Sequence, residues 1–179
     1  MKFKIFKFKR VKSTNSTAMN IIRKTNFYYG MVISDNQING RGQYGKKWIS
    51  YEGNLFVSFF YNLENLSVTL NQLTKINCLL VKKILSKYYK KKIILKKPND
   101  LLAERKKICG ILQETIGKLN HNYLIVGIGI NLIKSPNFKN YPTTNLLDLI
   151  NKKISKKKIL AELKKIFEMK LNQLYSIKK

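Results

Sequence analysis

Alternating and helical patterns of apolar residues divide the first third of the chain into strands and one helix. Lys2–Val11 alternates lysine with phenylalanine and isoleucine, which predicts a half-exposed strand. Small polar residues that favour helix starts occupy Ser13–Thr17, and the helical stretch Ala18–Lys24 follows them. The segment Met31–Asp35 predicts a second strand, and the continuous apolar run Leu55–Tyr61 predicts a strand that is buried on both faces.

The remaining part of the chain predicts a long helix, two hairpins and two further helices. Apolar residues recur at helical spacing between positions 70 and 88, and turn residues separate the later apolar runs. The predicted elements are a helix over 70–88, a strand over Ile93–Leu95, a hairpin over 101–112, a hairpin that joins Gly110–Ile116 to Tyr123–Leu132, and helices near Thr144–Ile150 and Lys156–Leu174. Hairpin-paired strands with a few flanking helices predict an α+β fold around one mixed, mostly antiparallel sheet, in a single domain over residues 1–179.

The segment from Gln37 to Gly53 combines glycines, cations and an aromatic residue that are suited to ligand binding. It contains Arg41, the cations Lys46 and Lys47, and the single tryptophan of the chain. Glycines allow the backbone to approach a ligand closely, and cations among them favour an anion. The segment therefore predicts a phosphate-binding loop.

Two nucleotide-binding motifs and a solvated surface loop compete as interpretations of this segment, and the P-loop among them fails on its chemistry. Gly40-x-Gly42-x-x-Gly45 has the form of a dinucleotide-binding turn, but a strand rather than a helix is predicted after it. The same stretch matches a P-loop up to its last position, where Lys47 replaces the serine or threonine that holds magnesium. A solvated surface loop is the third interpretation.

The composition makes an anionic binding partner a further candidate but does not establish one. The formal net charge of +27 is typical of proteins that bind nucleic acid or a membrane surface. Nearly all of the cations are lysines, whereas recognition of bases and phosphates favours arginine. The abundance of Ile, Asn, Phe and Tyr indicates low-GC coding, so we treat the charge as background and keep a basic nucleic-acid-binding module as the competing function.

The sequence predicts a cytoplasmic protein. No apolar run has the length of a membrane span, and the N-terminal alternation lacks the apolar region of a signal peptide. Cys78 and Cys109 form neither a metal-binding spacing nor a disulfide framework, which favours a reducing compartment.

Five short blocks contain most of the residues that are suited to ligand binding. In chain order they are Ser13-Thr14-Asn15, Gln37-x-x-Gly40-Arg41-Gly42-x-x-Gly45-Lys46-x-Trp48, Lys96-x-Pro98-Asn99-Asp100-Leu101, Lys106-Lys107-x-x-Gly110-Ile111-Leu112-x-Glu114 and Gly127-x-Gly129-x-Asn131. Together they resemble the catalytic domain of biotin protein ligases (biotin–acetyl-CoA-carboxylase ligases). The resemblance implies the fold shared with class II aminoacyl-tRNA synthetases, and it favours a ligand-binding loop over a solvated one.

This resemblance implies a reaction in two steps. Biotin and MgATP give biotinyl-5′-AMP and pyrophosphate, and a lysine of a biotin carboxyl carrier protein, a subunit of acetyl-CoA carboxylase, then attacks the acyl-adenylate. The implied cofactors are ATP, biotin and Mg²⁺, and the implied partner is the carrier protein, with neither a membrane nor nucleic acid involved. The resemblance leaves open whether the protein is a monomer or a homodimer.

The same resemblance implies roles for individual residues. Arg41 and Lys107 would be catalytic, because attack of a carboxylate on the α-phosphate joins two anions whose charge cations must neutralise. The implied biotin-binding residues are Ser13, Thr14, Asn15, Gln37, Gly40, Arg41, Lys107 and Gly110. The implied ATP- and adenylate-binding residues are Arg41, Gly42, Gln43, Lys46, Trp48, Lys96, Asn99 and Asn131. No protein side chain is expected to be a metal ligand.

Two positions depart from the pattern of the family. Gln43 stands where members usually carry arginine, and Lys97 stands where tryptophan usually precedes Pro98. Loss of the charge at position 43 predicts a weaker hold on the adenylate. No winged helix is expected before Lys2 and no small β-barrel domain after the last helix, so repressor activity is not expected.

Two alternatives share the predicted fold. A lipoate or octanoate protein ligase would carry an arginine-rich Gly-Gly-Gly loop, which this sequence lacks. A degenerate ligase that binds biotin without catalysis is disfavoured because Arg41 and Lys107 are retained.

Overall fold

A computed structural model describes residues 1–139 and 141–176; Asn140 and residues 177–179 of the predicted domain lie outside the described residues. The strands are β1 (Lys4–Val11), β2 (Tyr29–Gln37), β3 (Gly40–Arg41), β4 (Lys47–Trp48), β5 (Leu55–Asn62), β6 (Ile93–Lys96), β7 (Asp100–Ala103), β8 (Lys106–Lys118) and β9 (His121–Ile130). Seven strands form one sheet in the order β1-β2-β5-β9-β8-β7-β6. The β1–β2 pair is parallel and the other pairs are antiparallel, which confirms the predicted sheet type.

The helices are α1 (Thr14–Lys24), α2 (Leu70–Tyr88), α3 (Leu146–Ile150) and α4 (Lys156–Ser176). The predictions for α2 and α4 are confirmed, and α2 begins with a reciprocal capping box between Thr69 and Gln72. The predicted third pattern begins later than expected, because the Asn145 side chain caps α3 by accepting from the Asp148 N–H at 2.9 Å. None of the helices in the described part of the chain has the length and apolar character needed to cross a bilayer.

The prediction for the start of α1 is wrong. The helix begins at Thr14, four residues before the predicted Ala18, and Ser13 is its N-cap residue. The Ser13 side chain forms no capping hydrogen bond. The polar side chains of Thr14 and Asn15 are buried and bond to distant parts of the chain instead, so they do not act as caps.

Strand β5 lies at the centre of the core because apolar layers cover both of its faces. All eight of its residues are buried, as the continuous apolar run predicts. One face packs with α1 in a small cluster that contains Phe60 and Ile22. The opposite face belongs to the larger cluster, where the rings of Phe59 and Phe167 of α4 stack with centroids 4.4 Å apart. This packing fixes the sheet between α1 on one side and α4 on the other.

Both cysteines are expected to resist alkylation in the folded protein. Burial, with a smaller contribution from the Asp100 carboxylate, raises the pKa of Cys78 to about 11. Burial also raises the pKa of Cys109 well above its ordinary value. The thiolate is the reactive form and is populated only as the pH rises toward the pKa, so near neutral pH both groups remain thiols. We expect iodoacetamide to modify neither residue near neutral pH and both after denaturation, as measured by intact-protein mass spectrometry. Rapid alkylation of the native protein near neutral pH would contradict this expectation.

Candidate active site

A cleft of about 1000 Å³ lies over β8 and β9, and all five sequence blocks contribute to its lining. The start of α1 and the end of β2 close one side of it. The remaining walls are formed by the β3–β4 ribbon, by the turn between β6 and β7, and by Pro136, Phe138, Lys139, Tyr141 and Thr143 of the segment after β9. The fold therefore brings together segments that are far apart in sequence around one concave surface.

Two glycines form part of the cleft floor and carry the Trp48 indole. Gly110 of β8 and Gly129 of β9 are directly opposite each other in the strand register. A Cβ atom added at Gly110 would lie 2.7 Å from Trp48 Cζ3, and one added at Gly129 would lie 2.5 Å from Trp48 Cε2. Side chains at either position would displace the indole. The pair of glycines thus makes a flat floor on which a planar ring can lie against the backbone.

Two buried polar atoms of the cleft wall have neither a hydrogen-bond partner nor an ion-pair partner among the described residues. They are Trp48 Nε1, a donor, and Asn131 Oδ1, an acceptor. Asn131 is 2% exposed, and its Nδ2 donates to the Thr144 carbonyl at 3.1 Å. Buried polar groups are nearly always paired, so these two atoms offer a donor and an acceptor to a ligand with polar edges.

Lys107 lies at the centre of a cluster of polar and aromatic side chains. Its Nζ is 2.7 Å from Asp100 Oδ1 and 5.4 Å from the ring centroids of both Trp48 and Tyr141. The Tyr141 hydroxyl donates to Asp100 Oδ2. Burial, followed by this bond to the carboxylate, raises the pKa of Tyr141, so the hydroxyl remains a donor at neutral pH. Asp100 and Tyr141 together fix the Lys107 ammonium at the cleft wall, while the neighbouring Lys106 is exposed.

A chain of hydrogen bonds that begins at Glu114 holds the Arg41 side chain in place. Its Nη2 lies 2.6 Å from Glu114 Oε2, which also accepts from Asn15 Nδ2 at 2.7 Å. The buried Ser58 hydroxyl donates to Asn15 Oδ1 at 2.6 Å. A Cβ atom at Gly127 would collide with Asn15 Oδ1, so glycine is required for this arrangement. One edge of the guanidinium is therefore held, and 39% of the side chain remains exposed for an anion.

Thr14 and Gln37 are bonded to each other at the closed side of the cleft. Gln37 Oε1 accepts from the Thr14 N–H at 2.8 Å and from the Thr14 hydroxyl at 3.1 Å. Gln37 Nε2 donates to the Ser50 hydroxyl at 3.1 Å. These bonds orient a set of donors and acceptors that face the cleft, as recognition of a neutral polar head group requires.

All of the residues predicted for the site line the cleft except Ser13 and Gly40. Ser13 is buried behind the wall, where its carbonyl accepts from the Thr17 N–H at 2.9 Å. A Cβ atom at Gly40 would lie 2.5 Å from the Trp48 carbonyl, so this glycine allows the β3–β4 ribbon to close. Asn99 lines the cleft and donates from Nδ2 to the Ile111 carbonyl at 3.0 Å, which holds the β6–β7 turn on β8. The binding roles of all these residues stay predictions.

Several residues of the site were missed by sequence reasoning. Asp100 and Glu114 stand inside two of the five sequence blocks. The available signal was that each of these carboxylates lies three to seven residues from a cation in a predicted hairpin. Tyr141, Phe138 and Lys139 belong to a loop without periodicity or motif, and nothing in the sequence placed them at the cleft.

The described residues contain no group of three or more His, Cys, Asp or Glu side chains that could hold a metal ion. Magnesium in nucleotide sites is usually bound through one or two carboxylates together with phosphate oxygens and water. Asp100 is the only carboxylate among the described residues that line the cleft.

Comparison with known proteins gives a family match over most of the chain. The sequence profile of the biotin/lipoate A/B protein ligase family matches residues 7–131. The bifunctional ligase/repressor BirA of Escherichia coli (strain K12) is 34% identical over 102 residues, which are 56% of this chain and 32% of BirA. The matched region is therefore about one third of the length of this curated relative.

Solved structures extend the similarity to nearly the whole chain. The biotin protein ligase from Aquifex aeolicus, in complex with biotin and ATP, superposes with a TM-score of 0.81 at 31% identity. The match covers 97% of this chain and 72% of that one. P. falciparum LipL1 in complex with lipoate superposes with a TM-score of 0.64 at 14% identity, over 95% of this chain and 63% of that one, which shows a common fold alone.

Proposed function

Because this chain belongs to the biotin/lipoate A/B protein ligase family and has the fold of its biotin protein ligases, we propose that it activates biotin with ATP and transfers it to a lysine of a biotin carboxyl carrier protein. The observation that carries the proposal is the position of Arg41 and Lys107, two fixed cations at one cleft whose floor is formed by Gly110 and Gly129. We place this activity in the cytoplasm, and the protein acts as a monomer or a homodimer.

In the first step a biotin carboxylate oxygen attacks the α-phosphorus of ATP, and pyrophosphate leaves. Both reactants are anionic, so negative charge accumulates where they meet. Glu114 and Asp100 hold Arg41 and Lys107 in place, so little reorganisation is needed as the charge develops. We assign charge neutralisation to these two cations. Mg²⁺ would accompany ATP and would supply further neutralisation of the phosphate charge, and no side chain of this chain is assigned as its ligand.

The uncharged walls of the cleft suit the two ring systems of the reactants. Thr14 and Gln37 offer donors and acceptors to the ureido ring of biotin. The Trp48 indole, which lies on the floor at Gly110 and Gly129, offers a face on which a base can stack. The unpaired Trp48 Nε1 and Asn131 Oδ1 match an acceptor and a donor at the edge of a base. In the second step the amine of the acceptor lysine attacks the acyl carbon, and AMP leaves with the bridging oxygen.

Biotin-dependent exchange of label between pyrophosphate and ATP tests the proposal directly. The reaction is run in parallel with biotin, lipoate and octanoate, because all three acids suit ligases of this fold. Exchange with biotin alone is the expected result. Exchange with lipoate or octanoate alone would assign the chain to the other branch of the family, and no exchange with any acid would overturn the proposed activity.

Gln43→Arg is expected to slow the release of biotinyl-5′-AMP. Gln43 lines the cleft at the start of the turn Gln43–Gly45, and an arginine there would add a fixed charge near the adenylate phosphate. One such charge-assisted hydrogen bond is worth about 1.5 to 3 kcal/mol, which corresponds to roughly 10- to 100-fold slower release. The measurement is the rate at which labelled adenylate leaves the isolated complex. Gln43→Lys is the control, because lysine adds the same charge without the planar guanidinium group. Unchanged release of the adenylate in the arginine variant would contradict this expectation.

A further inference from the structure

The mouth of the cleft carries more positive charge than the described residues neutralise. Among the described residues that line the cleft, seven are cationic and Asp100 alone is anionic. Lys107 and Arg41 are paired with Asp100 and Glu114, and Lys96 Nζ lies 4.9 Å from the Tyr141 ring centroid. Lys46 is exposed, and together with Arg41, Lys96 and Lys107 it belongs to the cations assigned above to biotin or ATP.

Three lysines at the mouth have a different environment. Lys47, Lys97 and Lys139 are exposed, and none of them forms an ion pair with a residue in the described part of the chain. They stand on three separate segments: the β3–β4 ribbon, the β6–β7 turn and the loop after β9. Their charges surround the opening, so a macromolecule that covers the opening would contact all three lysines at once.

Exposed apolar side chains stand among these lysines. Tyr44, Ile49 and Phe138 line the cleft and are 91%, 39% and 43% exposed. Tyr44 has φ 54° and ψ 41°, a left-handed conformation that a bulky residue rarely adopts, and it presents its ring to solvent at the tip of the ribbon. Aromatic and apolar side chains inside a charged border are typical of protein-binding surfaces.

We propose that the cleft rim, defined as Tyr44, Lys47, Ile49, Lys97, Phe138 and Lys139, is the docking surface for an acceptor protein domain that is acidic around its target lysine. The proposal rests on the proposed function, in which a protein lysine must reach the adenylate through this opening. Unpaired lysines attract carboxylates from a distance and accelerate encounter, and the apolar side chains supply contact once the partner is seated. A carrier with carboxylates beside its acceptor lysine has the complementary charge.

An acidic protein suits this rim better than a nucleic acid does. The rim contains lysines but no arginine, so it lacks the guanidinium groups that bind phosphates and bases through two parallel hydrogen bonds. Its charges encircle a concave opening, whereas a single-stranded nucleic acid is usually bound along a basic groove with stacking platforms.

The test compares two double variants that carry the same net charge. The rim variant combines Lys97→Glu and Lys139→Glu, and it leaves Lys47 in the glycine-rich loop unchanged. The control variant combines Lys75→Glu and Lys90→Glu, two exposed lysines that do not line the cleft. Each variant is measured in biotin-dependent ATP–pyrophosphate exchange, which needs no acceptor, and in transfer to a biotin carboxyl carrier domain with acidic residues beside its lysine. A carrier domain with those acids changed to lysine is the second probe.

The rim variant is expected to keep the exchange rate of the unaltered protein and to lose about tenfold or more in kcat/KM for the acidic carrier, through KM. The loss should shrink at high salt and should reverse with the basic carrier, while the control variant behaves like the unaltered protein. Equal losses in both variants, unchanged transfer in the rim variant, or loss of exchange in the rim variant would each overturn the proposal. Loss of binding to a short oligonucleotide with unchanged transfer would also overturn it and would assign the rim to nucleic acid. Failure of the unaltered protein to exchange with biotin would be a failure of the proposed function itself.

Discussion

Replacing Lys107 with methionine is expected to lower the rate of biotin-dependent ATP–pyrophosphate exchange by about 100- to 1,000-fold. Methionine keeps most of the aliphatic stem but removes the ammonium that Asp100 and Tyr141 fix at the cleft wall. A positioned charge of this kind acts mainly on the transition state, so the loss should appear in kcat and kcat/KM together. Exchange measured at several biotin and ATP concentrations separates these quantities.

Two further variants separate chemistry from folding in this experiment. Lys106→Met removes the adjacent lysine, which is exposed, and it should leave exchange unchanged. Lys107→Met leaves the Asp100 carboxylate without its cation, so its thermal stability should fall. Adding Asp100→Asn to Lys107→Met should restore stability without restoring exchange. The assignment is wrong if Lys107→Met remains as active as the unaltered protein, or if Lys106→Met loses as much.

Phe167→Ala is expected to lower the free energy of unfolding by about 3 to 5 kcal/mol. Phe167 is fully buried in α4, and its ring stacks on Phe59 with an angle of 7° between the ring planes. Truncation removes one of the contacts that hold the last helix on the sheet and leaves a cavity beside β5. Since small proteins have total stabilities of about 5 to 15 kcal/mol, this loss is a large fraction of the whole. Urea unfolding followed by circular dichroism measures it.

The same helix provides the control for this truncation. Met169 lies two residues further along α4 and is 54% exposed, so Met169→Ala should change the free energy of unfolding by no more than about 0.5 kcal/mol. Phe167→Leu keeps most of the buried volume and should fall between the two, which gives a readable result even if the alanine variant does not fold. Equal effects at Phe167 and Met169 would contradict the described packing.

The sheet could be predicted because its strands have regular patterns. Leu55–Tyr61 is apolar or aromatic at every position except Ser58 since both faces of β5 are covered, and this signal is visible in the sequence alone. The β3–β4 ribbon was not predicted, because strands of two residues have no period. The start of α1 was misplaced because local preference cannot distinguish a cap from a side chain that bonds across the fold. Asn15, which reaches Glu114, is such a side chain.

The candidate site was predictable where it depends on residue type and order. The blocks with Arg41 and Lys107 could be recognised from spacing, but their partners could not. Glu114 is 73 residues from Arg41 in sequence, and Tyr141 comes from a loop without pattern. Such pairings arise from tertiary packing, which places the separate β3–β4 ribbon against β8. Sequence reasoning therefore found the cations of the site and missed the groups that aim them.

The position of Trp48 on its glycine floor has an optical consequence. The chain contains a single tryptophan, and its indole covers Gly110 and Gly129 beside Lys107. Light absorbed near the red edge of the protein spectrum is therefore re-emitted from the cleft and from nowhere else in the chain. The unmodified protein therefore carries a built-in fluorescent reporter, and we expect its intensity to change when a ligand binds beside the indole, without any attached dye.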